Sequence, residues 1–188
     1  MRTLMTSLRL LTLGLAISGL ASANVAAQGA GSPEARLKAL GIELPPAPKP
    51  IASYVLSVRT GNLVYLAGQG PFAGGKPTVT GKVGAELTEE EGYKAARATI
   101  LGSLAALRAE IGSLDRVSRI VKVVGWVNSA PGFTRQPWVL NGASDLLVEI
   151  FGEAGKHARS AVGANELPLN IPVEIEMIVE VAPDSAGR

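Results

Sequence analysis

Hydrophobic positions change period several times along this chain, and each change predicts an element. Over 173–181 the run VEIEMIVEV places Val173, Ile175, Met177 and Val179 at every second position, the mark of a strand with one buried face. Glu174, Glu176, Ile178 and Glu180 make up its other face. Upstream, Thr88 with Glu91 three residues on is a capping box, and three acids in the first turn suit the helix dipole. Tyr93, Ala96, Ile100, Leu104, Leu107 and Ile111 then form one helical stripe that ends near Gly112. Gly92 and Gly102 weaken that helix by about 1 kcal/mol each relative to alanine, which close packing on a sheet would make tolerable.

The remaining elements are shorter. Apolar stretches at 54–59 and 63–67 flank Thr60-Gly61-Asn62 and predict a hairpin. The glycine-rich segment up to Gly84 reads as a loop with a short strand at 78–79, and none of its glycines has phosphate-loop spacing. A long β-branched strand is predicted over 117–127, a break at Pro131-Gly132, and a second helix over about 136–151. Two strand-like runs separated by the turn-like ELPLN close the chain. Two helices against one sheet of four or more strands define an α+β two-layer domain, over 51–182. Trp126 and Leu66 are candidates for a second sheet face buried in an oligomer.

The N-terminus follows a different logic. Arg2 and Arg9 precede an apolar run at 10–20 and then small residues, the order of a secretory signal peptide, with cleavage after Ala23 or Ala27. That run is too short to span a bilayer comfortably. Residues 1–27 therefore predict a periplasmic or secreted protein without a stable membrane anchor. Residues 28–50 read as an extended lead-in, with a short helix at 33–40 and prolines at 45, 46, 48 and 50, lying on the domain or on a neighbouring subunit.

Removing the leader changes the charge balance. It takes away Arg2 and Arg9 but no acid, so an excess of 18 basic over 16 acidic residues becomes net zero. A balanced surface, few aromatics and no basic run give no reason to expect a nucleic-acid partner. With no cysteine, thiol chemistry and cysteine metal sites are excluded, and one histidine excludes the usual His-rich zinc sites.

Candidate chemistry centres on the last quarter. Arg159 matches a carboxylate bidentately and can anchor a small organic acid, or simply form a salt bridge. Glu174 points away from the apolar stripe and can orient or deprotonate a water if its pKa suits, or belong to a solvated face. His157 reads as a surface or capping residue. Tyr54, Gln69 and Asn141 are ordinary hydrogen-bonding residues, and Ser129, Ser144 and Ser160 lack a nucleophile elbow.

Taken together, SYVLSVRTGNLVYLAGQGP at 53–71, VVGWVNSAPGF at 123–133 and ARSAVGANELPLNIPVEIEMIVEV at 158–181 resemble the RidA family, also called YjgF or endoribonuclease L-PSP. The likeness is to its branch labelled chorismate mutase-like and covers roughly 45–181. It implies a chorismate-mutase-like (YjgF-type) fold, with two helices on one face of a mixed sheet, assembled as a homotrimer with pockets between subunits. It also implies hydrolysis of enamines and imines of small 2-oxo acids to the oxo acid and ammonia, without metal or cofactor. Arg159 matches the arginine that holds the substrate carboxylate, and Glu174 the glutamate that positions the attacking water. Tyr54 and Asn141 match a pocket tyrosine and asparagine. The chain departs from the family pattern at Ala161, where a cysteine is common, at Ala67, where a serine is usual, and at Ser53, where the archetype has a proline before the tyrosine. Two alternatives stand beside the deaminase: a non-catalytic exported binding protein for a small carboxylate, and an endoribonuclease.

Overall fold

The computed structural model describes residues 31–183. The expected signal peptide, 1–27, and the first residues of the lead-in lie outside this range. The C-terminal alternating run forms β7 (Val173–Val181), with Val173, Ile175, Met177, Val179 and Val181 buried and the residues between them half-exposed. Buried on both edges as well, it sits at the centre of a five-stranded sheet. The strand order is β1 (Ser57–Thr60), β2 (Leu63–Gln69), β7, β5 (Val117–Asn128) and β6 (Ala158–Ala164). All neighbours are antiparallel except β5 and β6, which run parallel. A parallel pair cannot be joined by a tight turn, and the segment carrying α3 (Gln136–Val139) and α4 (Asn141–Phe151) makes that crossover.

One side of the sheet is covered. The predicted long helix is α2 (Glu89–Ile111), opened by the expected capping box: the Glu91 amide donates to Thr88 Oγ at 3.2 Å, and the Thr88 amide to Glu91 Oε2 at 2.8 Å. Ala96, Ile100, Leu104 and Leu107 from α2, with Leu146, Leu147 and Ile150 from α4, meet Val64, Leu66, Ile120, Val123 and the buried row of β7 in one core. Leu66 thus serves the helix side, while Trp126 lies on the uncovered side, level with Val162; Val58 and Tyr65 share that face, and the three are 45%, 56% and 43% exposed.

The structure corrects two expectations and decides between two alternatives for the start of the lead-in. The second helix is broken at Leu140 into α3 and α4, and the Leu140 side chain packs against the bare backbone of Gly125 on β5. The short strand expected at 78–79 is replaced by a two-residue pair, β3 (Phe72–Ala73) with β4 (Lys76–Pro77). The lead-in is docked on its own domain through α1 (Pro33–Ala39). Glu34 Oε1 accepts from the Leu114 amide at 3.0 Å, the Glu34 amide donates to Asp115 Oδ1 at 2.9 Å, and Leu37 is buried.

Of the two glycines in α2, Gly92 sits where a Cβ would press on Val83 and Val139, whereas Gly102 faces open space. The close approach that positions α4 is made by Gly142: a Cβ there would fall 2.0 Å from the Tyr93 carbonyl oxygen of α2. The first turn of α4, including Asn141 and Ser144, is therefore pinned against α2.

Candidate functional site

Arg159 lies on β6 level with Val123 of β5, which is in turn level with Met177 of β7, and both of those face the helices. Residues opposite one another in a sheet share a face, so the Arg159 side chain is directed towards α3 and α4. Its Nη1 donates to Asn141 Oδ1 at 3.0 Å and to Ser144 Oγ at 2.9 Å, and its Nη2 donates to the Pro137 carbonyl at 3.1 Å. A guanidinium has five N–H donors, and these three bonds leave Nε–H and one Nη2–H without a partner among the described residues. Half-burial lowers the Arg159 pKa, opposed by the nearby Asp145 carboxylate, and the group remains a cation. An arginine oriented by its own chain with two donors spare is built to receive a planar anion.

Asn141 is the first residue of α4. Because arginine only donates, the atom facing it is the amide oxygen, and the Asn141 NH2 is turned away from the guanidinium. Sequence reasoning paired Arg159 with Asn141 through the family likeness, and the structure puts the two in direct contact.

Glu174 occupies the other side of the sheet. It is level with Trp126 on β5, one step out of phase with the buried row, and it leans on β2, where a Cβ on Gly68 would fall 2.2 Å from Glu174 Oε1. The bare Gly68 backbone leaves room for the carboxylate in this position. Burial, and then the neighbouring Glu176 charge, hold the Glu174 pKa above the usual carboxylate range. No hydrogen bond or ion pair to Glu174 is formed among the described residues. Arg159 and Glu174 thus point to opposite faces, and within one chain they do not meet. Tyr54, 41% exposed, precedes β1 at the opposite edge of the sheet from β6, about 19 Å away at ordinary strand spacing. Ala161 shares the helix-facing side with Arg159, and Ala67 lies on β2 beside Gly68.

The structure adds two residues that sequence reasoning set aside. His157 is half-buried, its Nε2 is 3.0 Å from Ser144 Oγ, and its Nδ1 is 2.6 Å from the Gly155 carbonyl oxygen. Burial, and to a smaller extent the Arg159 charge, lower its pKa, against the pull of the Gly155 hydrogen bond. Arg159, Asn141, Ser144 and His157 form one contiguous cluster. No sequence spacing announces it, because α4 and β6 meet only through the crossover.

Residues 34–181 match the family model described as "YjgF/chorismate_mutase-like, putative endoribonuclease", and the chain belongs to this RidA/YjgF family. It is 45% identical over 152 residues to Protein TCP17 of Trypanosoma cruzi, covering 80% of this chain and 95% of that one. It is 33% identical over 141 residues to the 2-iminobutanoate/2-iminopropanoate deaminase of Dermatophagoides farinae, covering 74% of this chain and 94% of that protein. Among solved structures, it resembles the Agrobacterium tumefaciens protein Atu1372, described as having unknown function, with a TM-score of 0.74 and 43% identity over 80% of this chain and 92% of that one. The fold is the chorismate-mutase-like α+β fold of this family.

Proposed function

We propose that the protein hydrolyses enamine and imine derivatives of small 2-oxo acids, releasing ammonia. The observation that carries this reading is Arg159, whose guanidinium is held by Asn141, Ser144 and Pro137 with two donors left for a carboxylate. The resemblance to a named deaminase supports the reaction class. In this reading the imine C2 of the bound acid lies where Glu174, its pKa raised by burial, takes a proton from an attacking water. The carbinolamine then collapses to the 2-oxo acid, and nitrogen departs as ammonia.

Since Arg159 and Glu174 face opposite sides of one sheet, a pocket containing both draws them from two chains. The assembly proposed is a homotrimer in which the uncovered sheet face, with Glu174 and Trp126, lies against the β6 edge of the next subunit, and Tyr54 joins the same pocket. The exposed Val58, Tyr65 and Val162 support burial of that face. Residues 1–27 are proposed to export the chain to the periplasm or medium; N-terminal sequencing of the exported protein, showing Asn24 or Gln28 first, tests this.

Ammonia release from freshly generated 2-iminopropanoate is the test of activity. The expected result is a rate above buffer for the wild type and loss of that rate in Arg159→Ala; a wild-type rate equal to buffer sinks the reading. A second reading, a carboxylate-binding protein without turnover, is favoured by Ala161 and Ala67, which place no reactive side chain where the family commonly has cysteine and serine. Pyruvate binding that depends on Arg159, without ammonia release, selects it.

A further inference from the structure

The cluster on the helix side of β6 contains more than an anion clamp. Four groups form a directed chain: Arg159 Nη1 to Ser144 Oγ at 2.9 Å, Ser144 Oγ to His157 Nε2 at 3.0 Å, and His157 Nδ1 to Gly155 O at 2.6 Å. The proton positions follow by elimination. A carbonyl oxygen only accepts, so Nδ1 carries a hydrogen and the neutral ring presents its lone pair at Nε2. An arginine only donates, so Ser144 accepts from Arg159 and spends its own hydrogen on Nε2. When the ring gains a proton, Nε2–H donates to Oγ instead. The hydroxyl hydrogen is then released to point at whatever Arg159 holds.

We propose that Ser144 and His157 are a proton relay that serves the ligand bound at Arg159, with Ser144 as the group that touches it. The substrate class is the enamine form of a small 2-amino-2-alkenoic acid, and for that substrate the proposal rests on the hydrolytic reading above. In the step assigned to the relay, the enamine C3 takes the Ser144 hydroxyl proton as Oγ takes the proton of the His157 imidazolium. The C2=C3 π pair becomes the C3–H bond, and the nitrogen lone pair closes C2=N. The product is the protonated imine that water then attacks, and the neutral imidazole is reloaded from solvent.

The surroundings suit this task. The positive charge of Arg159 disfavours a resident proton on His157 and so favours its delivery, and an arriving carboxylate offsets that charge. Asp145, next to Ser144 on α4, accepts from the Tyr93 hydroxyl of α2 at 3.0 Å and adds a negative field. On the turn before His157, Lys156 pairs with Glu153 at 2.6 Å. On β5, Lys122 is bound to Ser160 at 3.1 Å.

His157 is the only histidine in the sequence, so its ring can be followed alone. In 15N-histidine NMR of the intact protein, the expected state near pH 7.5 is the Nδ1–H tautomer, the minor form of a free imidazole, with a midpoint below the ordinary value. Saturating pyruvate is expected to raise that midpoint, and Ser144→Ala to reduce the pyruvate effect. An Nε2–H tautomer, or a midpoint that pyruvate leaves in place, overturns the relay whatever the activity. Kinetically, with freshly generated 2-aminoprop-2-enoate, the enamine, as substrate, Ser144→Ala and His157→Gln are expected to lower ammonia release on the order of 10²-fold and to flatten its rise towards acid. Wild-type rates and pH profile in both variants overturn the relay while leaving the hydrolysis reading intact. Absence of wild-type turnover overturns that reading and is separate from the tautomer result.

Discussion

Replacing Arg159 with lysine separates charge from geometry at the site. The guanidinium makes three bonds to its own chain, to Asn141, Ser144 and Pro137, and still has two donors free. An ammonium has only three donors; if these replace the three anchors, none remains for a bound carboxylate. Two charge-assisted hydrogen bonds are then lost, each worth about 1.5–3 kcal/mol, while part of the Coulomb attraction survives. The net expected loss is about 2–4 kcal/mol, roughly 30- to 700-fold in the Kd for pyruvate. Calorimetric titration measures this directly, with a melting curve as control, since the retained charge and anchors are expected to keep the fold. A folded Arg159→Lys protein that binds pyruvate within threefold of wild type refutes the argument that this guanidinium holds the carboxylate.

Three further outcomes are expected. Glu174→Gln stabilises the protein at neutral pH while abolishing activity: a raised folded-state pKa contributes stability that is complete below the unfolded value and is lost as pH rises through the folded one. Melting temperatures of the two proteins are expected to converge at pH 4 and separate at pH 8; the opposite order contradicts the burial argument. Gly102→Ala raises stability by about 1 kcal/mol, because its Cβ meets nothing and the helix gains propensity; urea unfolding reads the change. Gly142→Ala lowers stability by more than about 1 kcal/mol in the same assay, because the new methyl overlaps the Tyr93 carbonyl oxygen, and an unchanged midpoint counts against that packing.

Much of the fold was legible because local periodicity and burial agree. The alternation over β7 shows which residues are buried and puts Glu174 on the opposite, half-exposed side, and Thr88 with Glu91 marks the start of α2. The break at Leu140 was not legible, since no local signal at 136–151 announces it; Leu140 packs on Gly125, fifteen residues earlier and on a strand. Parity along β6 and β7 separately cannot say whether Arg159 and Glu174 share a face; that relation passes through β5, with which β6 is parallel and β7 antiparallel. The Ser144–His157 contact was equally hidden, because it requires α4 to return its first turn beside the start of β6. Residue chemistry raised Arg159 and Glu174, family likeness gave roles to them and to Tyr54 and Asn141, and geometry sorted the four into one contact pair and two residues that lie elsewhere on the chain.

The central claim, that Arg159 and Glu174 act together across a subunit boundary, is tested most directly by mixing two inactive proteins. Ammonia release from 2-iminopropanoate is measured for wild type, Arg159→Ala, Glu174→Gln, and an equal mixture of the two variants dissociated and reassembled together. Each variant alone is expected to be inactive. A randomly mixed ring regains both intact groups in about a quarter of its pockets, so about a quarter of the wild-type rate is expected to return. A wild type no faster than buffer, or a mixture no faster than its components after exchange of subunits is shown, contradicts the account.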